Sequence, residues 1–192
     1  MIPHPADCFA LMSQYEMLAN IRDHSLVVAR IAEFIGRELR KKGFNLDLDL
    51  VVSGALLHDI GKTACLHNGQ NHARLGADIC RRHGFDEIAA MVAQHVILDD
   101  DLPFEPDARQ IVYYADKRVN HDRIVHLDQR LAYIIERYGQ NDAYRCQAIR
   151  DNFSRSFAIE KRIFTHLGQE PEDLAELLPA QGNFEKDTEN GG

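Results

Sequence analysis

Apolar residues recur at intervals of three and four positions along nearly the whole chain, and no stretch keeps up the alternation that a half-buried strand requires. That pattern restricts the chain to an all-α fold, a single-domain bundle of amphipathic helices. With 192 residues, 45% of them hydrophobic and 27% charged, one sizeable core is within reach and a second is not. The expected helical domain covers residues 1–180. Residues 181–192 are polar, end in two glycines and are expected to form a disordered tail.

A long helix is predicted over residues 20–42, with Val28, Ile31, Ile35 and Leu39 on one stripe, His24 one turn before Val28, and Gly43 at the end. Asp47 or Asp49 can cap a second helix that runs to His58 and stops at Gly61. Its residues 50–57 are apolar nearly all round, which places it in the centre of the core. Asn71, Asp86 and Asp107 are the expected caps of three further helices. Residues 99–106 read as a loop, and helices follow over 127–138, 142–167 and 172–178.

A formal charge of -8 argues against general nucleic-acid binding, which needs basic patches to displace counterions. No apolar run is long enough to cross a bilayer, so no membrane partner is expected. The first residues lack the basic and apolar segments of a secretory signal, and a cytoplasmic location is the expectation. The four cysteines are far apart in sequence and form no C-x-x-C pair, which predicts reduced thiols. If the partner is a phosphorylated molecule, positive charge must be supplied locally, and the ten histidines offer metal ions as its source.

His24, His95 and Asp116 sit on apolar helix faces, where a carboxylate costs several kcal/mol unless it is paired or bound to metal. The pair His58-Asp59 ends the most apolar helix. Imidazole nitrogen and carboxylate oxygen together suit a first-row divalent metal. A plainer reading stands beside each of these. His58 can favour the negative end of a helix dipole, His24 and Asp116 can form a buried hydrogen-bonded pair, and Lys62, Lys117 and Arg118 can be solvated helix-end charges. The run 99–101 reads as a solvated turn, and Phe153, Phe157 and Phe164 read as core.

The stretch Ala55-Leu56-Leu57-His58-Asp59-Ile60-Gly61-Lys62 resembles the signature of the HD superfamily of metal-dependent phosphohydrolases, in its HDIG-type form. His24-Ser25-Leu26-Val27-Val28-Ala29 upstream and Tyr114-Ala115-Asp116-Lys117 downstream match as well, so the resemblance covers roughly residues 18–120. It implies metal ligation by His24, His58, Asp59 and Asp116. In the dinuclear branch two more histidines join, and His72 and His95 fit them, with His67 the rival of His72. The doubled histidine and Gly-Tyr-Pro element of the HD-GYP phosphodiesterases is absent, since the chain reads Gln94-His95-Val96-Ile97, and this argues against cyclic di-GMP cleavage.

The function so implied is hydrolysis of a nucleotide or similar small phosphate ester. One or two divalent ions (Mn, Fe, Co, Ni, Zn or Mg) would serve, with a metal-bridging hydroxide as nucleophile, Asp59 as the bridging ligand, and Lys62, Lys117 and Arg118 meeting the phosphate. A mononuclear nucleotidase and a non-catalytic nucleotide-binding module are the alternatives.

Overall fold

In the computed structural model, which describes residues 1–99 and 105–178, the predicted periodicity takes the form of an all-α bundle with one small antiparallel ribbon. Helix α1 spans Pro5–Gln14 and α2 spans Ala19–Lys41. On α2 the side chains of Val28, Ile31, Ile35 and Leu39 are fully buried, because three- and four-residue spacing stacks them on one stripe. His24 is buried with them. Helix α3 (Leu48–Leu57) starts at Asp47, whose carboxylate accepts from the Leu50 amide at 3.1 Å. Asp47 rather than Asp49 is therefore the cap, a contact typically worth about 1 kcal/mol. Every residue from Val51 to Leu57 is buried, so α3 crosses the middle of the core, as its uniform apolarity predicts.

A tight turn over residues 58–61 leads into the short helix α4 (Lys62–Cys65), and α5 (His72–Arg82) and α6 (Asp86–Gln94) follow as a packed pair. Asn71 caps α5 through the Arg74 amide, and Asp107 caps α7 (Ala108–Lys117) through the Gln110 amide. The expected cap of α6 is corrected: Phe85 stands at that position, and Asp86 is a first-turn residue placed against the positive end of the dipole. A ribbon comes next, β1 (Val119–Asn120) paired with β2 (Arg123–Ile124), with His121 at φ 57 in its turn.

Helices α8 (Leu127–Tyr138) and α9 (Ala143–Leu167) pack on each other, and α9 also packs on α7 and α2. The helix expected over 172–178 is a 3-10 turn, Pro171–Asp173, leading into α10 (Leu174–Leu177).

Three elements have no counterpart in the sequence reading: α1, α4 and the ribbon. Helix α1 has Pro5 in its first turn, where a fixed φ costs nothing, and buries Cys8, Leu11 and Met12. It packs on α3, where Ser53 donates to the Pro3 carbonyl at 2.6 Å. The expected tail and residues 100–104 of the expected loop lie outside the described residues. Among the described residues, no helix is long and apolar enough to cross a membrane. All four cysteines are free, and burial pushes the Cys8 and Cys80 thiols up to about 12.

Candidate metal centre

Five elements deliver their ends or faces to one point. His24 comes from α2, His58 and Asp59 from the turn after α3, His72 from the first position of α5, His95 from the end of α6, and Asp116 from the last turn of α7. All but His72 are buried.

Backbone carbonyls fix the imidazoles. Nδ1 lies 2.7 Å from the Ala55 oxygen in His58, 2.7 Å from the Val92 oxygen in His95 and 2.8 Å from the His121 oxygen in His24. A carbonyl only accepts, so Nδ1 carries the proton in each ring and the lone pair of a neutral ring is on Nε2, which faces the common centre. There, His24 Nε2 is 2.9 Å from Asp116 Oδ1, and His58 Nε2 is 3.7 Å from the same oxygen and 3.5 Å from Asp59 Oδ2. On the other side, His72 Nε2 and His95 Nε2 each lie 3.4 Å from Asp59 Oδ1 and 3.2 Å from one another.

Two groups of donors result, His24 with His58 and Asp59, and Asp59 with His72 and His95, each with its ligand atoms within 4.8 Å of one another. Asp59 belongs to both. His58 Nε2 and Asp59 Oδ1 are buried without a hydrogen-bond partner. An orphaned polar atom of this kind costs about 1–3 kcal/mol, and two of them within one His/Asp cluster fit a bound cation.

The charges are arranged to suit one. Burial opposes ionisation of Asp59, yet His58, His95 and Lys62 together hold its carboxyl well below the usual range. Burial likewise works against Asp116, and Lys117, His24 and His58 outweigh it. His58 is raised because Asp59 and Asp116 overcome the burial that would otherwise lower it. Burial lowers His95, and it pushes His72 down to about 4 with His95 adding to the effect. Both rings of the second group are thus neutral near pH 7, the form that ligates metal.

Gly61 explains how α5 reaches the cluster. A Cβ there would meet the His72 carbonyl at 2.4 Å and the Gly76 amide at 2.6 Å, so the turn after Asp59 and the start of α5 touch backbone to backbone. Gly61→Ala is expected to lower stability by about 1–3 kcal/mol, the usual cost of overpacking, and to weaken metal binding at the His72 side. Urea unfolding and metal titration of the variant check both effects.

Of the three residues expected to meet phosphate, Lys62 and Lys117 stand beside the cluster and Arg118 does not. Lys62 Nζ lies 2.7 Å from Asp59 Oδ2, and Lys117 Nζ lies 2.7 Å from Asp116 Oδ2 and 2.9 Å from the His95 carbonyl. Neither is a solvated helix-end charge. Arg118 is a correction: it is 1% exposed, and its guanidinium is occupied by the Val125 and Pro171 carbonyls, the Tyr114 hydroxyl and Glu160. It is an internal anchor and lines no part of the site. His67 is exposed and belongs to neither donor group, whereas His72 does.

The sequence reading missed the His121 carbonyl, which the ribbon turn alone brings to His24. It also missed a cavity of about 620 Å³ that opens beside the cluster, with Asp59, His72, His95 and Asp116 on its floor and side chains of α8 and α9 on its wall.

A family model described as HD domain matches residues 21–127. A tRNA (cytidine(56)-2'-O)-methyltransferase of Thermoplasma volcanium is 28% identical over 188 residues, covering 91% of this chain and 51% of that protein. An uncharacterized protein of Methanocaldococcus jannaschii is 31% identical over 64% of this chain and 79% of its own length. A ribonuclease Y of Pseudothermotoga lettingae is 40% identical over 40% of this chain and 14% of its own length. The chain thus spans about half the length of the methyltransferase it matches. No solved structure matches it.

Proposed function

The chain belongs to the HD domain family, and from that premise we propose that it is a metal-dependent phosphohydrolase cleaving a nucleotide or related small phosphate ester. Asp59 carries the reading: it is common to both donor groups, and its Oδ1, like His58 Nε2, is buried with no hydrogen-bond partner. His24, His58, Asp59 and Asp116 would hold one divalent ion, and Asp59, His72 and His95 a second. A divalent ion supplies Lewis acidity, polarising phosphoryl oxygens and lowering the pKa of water.

The chain's own residues do the positioning. The carbonyls of Ala55, Val92 and His121 hold the rings in the ligating tautomer, as outer partners of metal-binding histidines do. Lys117 steadies Asp116 and the end of α6. Lys62 borders the cavity and bonds Asp59 with one N–H, which leaves others for a phosphoryl or leaving oxygen.

Relatives named ribonuclease act, by that name, on RNA, a phosphodiester. The reaction class supports the proposal here, while a net charge of -8 does not suit a long polyanion. Methyl transfer is not carried over, because the chain matches only half of the relative so named and its clustered donors suit a cation.

Elemental analysis and a hydrolysis panel of nucleotides and phosphate esters, with Mn, Fe, Co, Ni, Zn and Mg supplied separately, test the reading. Two ions per chain, falling to one in His72→Ala, and turnover of at least one nucleotide are expected. One ion in the wild-type protein would favour a mononuclear nucleotidase. Tight nucleotide binding without turnover under any metal would overturn the enzyme reading in favour of a binding module.

A further inference from the structure

The cavity beside the cluster has a wall that the family match does not reach. The match ends at residue 127, where α8 begins. From α8 and α9, Arg130, Ile134, Arg137, Tyr138, Ile149 and Asn152 line the cavity. The lysines on its floor are paired with the carboxylates of the cluster, Lys62 with Asp59 and Lys117 with Asp116, and stand beside the scissile position. The wall supplies the remaining cations. Arg137 is exposed and has no hydrogen-bond or ion-pair partner among the described residues. Arg130 donates through one terminal nitrogen to Asn120 at 2.9 Å, while its Nε is buried with no partner.

The two arginines are seven positions apart, which puts them on one face of α8, about 10 Å apart along the axis. Apolar surface completes the setting. Of the seven exposed large hydrophobic side chains among the described residues, four line this cavity: Leu66, Val96, Ile97 and Tyr138. Apolar side chains gathered in this way mark a binding surface, and an aromatic ring among them suits a planar base. In a protein of charge -8 a second phosphate needs its own cations, and guanidinium groups bind phosphate through paired, charge-assisted hydrogen bonds.

We propose that the α8–α9 wall is a second-phosphate subsite, in which Arg130 and Arg137 receive a non-scissile phosphate while the cluster receives the scissile one. This rests on the phosphohydrolase reading and narrows it. The substrate class is a nucleotide bearing two phosphate groups, joined by an anhydride or by a diester link, with its organic part against Tyr138 and the aliphatic rim.

Calorimetry on the manganese-loaded protein tests the subsite apart from turnover, using α,β-methylene-ADP together with AMP and a terminally phosphorylated dinucleotide supplied as their non-hydrolysable phosphonate analogues. At least one two-phosphate ligand should bind about tenfold more tightly than the AMP analogue, a margin of about 1.4 kcal/mol. The ligand that does so identifies the linkage. Arg137→Gln should shrink the margin and Arg130→Gln/Arg137→Gln should abolish it. Should the double variant not fold, the exposed Arg137 decides alone. A wild-type protein that does not discriminate, or a margin unchanged in the variants, overturns the proposal. Preference without hydrolysis would sink the enzyme reading and leave the subsite standing; hydrolysis without preference would do the reverse.

Discussion

Asp59→Ala is expected to leave the protein folded, free of bound divalent metal, and at least about a thousandfold less active on any phosphate ester that it cleaves, the equivalent of about 4 kcal/mol of barrier. The reason is its shared position. Removing His24 or His72 takes one donor from one group, whereas Asp59 stands in both. Its carboxylate is also the negative charge that faces His58, His72, His95 and Lys62 together. The fold should survive, because the cation that loses its partner, Lys62, has a side chain 35% exposed and can turn to water. Circular dichroism checks the helices, and elemental analysis after gel filtration checks the metal. Asp59→Asn, nearly isosteric, separates charge from volume and should also lose most of the metal. Full metal occupancy in either folded variant would remove the basis of the proposed function.

The lines of the fold were legible where information is local. The stripe on α2, the uniform apolarity of α3 and the caps at Asp47, Asn71 and Asp107 are all set by residues a few positions apart. The order of the cluster residues was legible too, through the resemblance. Their convergence was not, because His24 and Asp116 are separated by 92 positions and helical periodicity carries no information over such a distance. The ribbon escaped for a different reason: two-residue strands leave no alternation to detect, and yet its turn supplies the His121 carbonyl that orients His24. On α8 Leu127 is buried and Leu131 and Ile134 are half-buried against the core, a stripe local spacing can mark, whereas the cavity beside it depends on where distant elements lie. Arg118 was misread because it stands two residues after Asp116. Successive positions on a helix diverge by about 100°, and that rotation carries its side chain away from the cluster and into the interior.

That interior position gives the second large effect. Arg118→Met is expected to destabilise the protein by about 3–5 kcal/mol, as removing one partner of a buried ion pair does. Arg118 joins the end of α7 to Glu160 on α9, to the Val125 carbonyl after the ribbon, and to the Pro171 carbonyl before α10. Without it, Glu160 keeps only the hydrogen bond from the Tyr114 hydroxyl at 2.6 Å, in surroundings where burial already raises its pKa despite Tyr114 and Arg118. Loss of the guanidinium raises that pKa further. A carboxyl whose folded pKa lies above its unfolded value makes the folded state bind more protons, so stability falls as pH rises. The deficit of Arg118→Met should therefore be smallest near the ordinary glutamate pKa of about 4.3 and grow toward neutrality. Urea unfolding across that range measures it. Pairing the change with Glu160→Leu removes the stranded charge and should restore much of the loss. The metal content of the folded fraction should stay at the wild-type level, since Arg118 contacts none of the six clustered side chains; loss of metal without loss of stability would return Arg118 to the site.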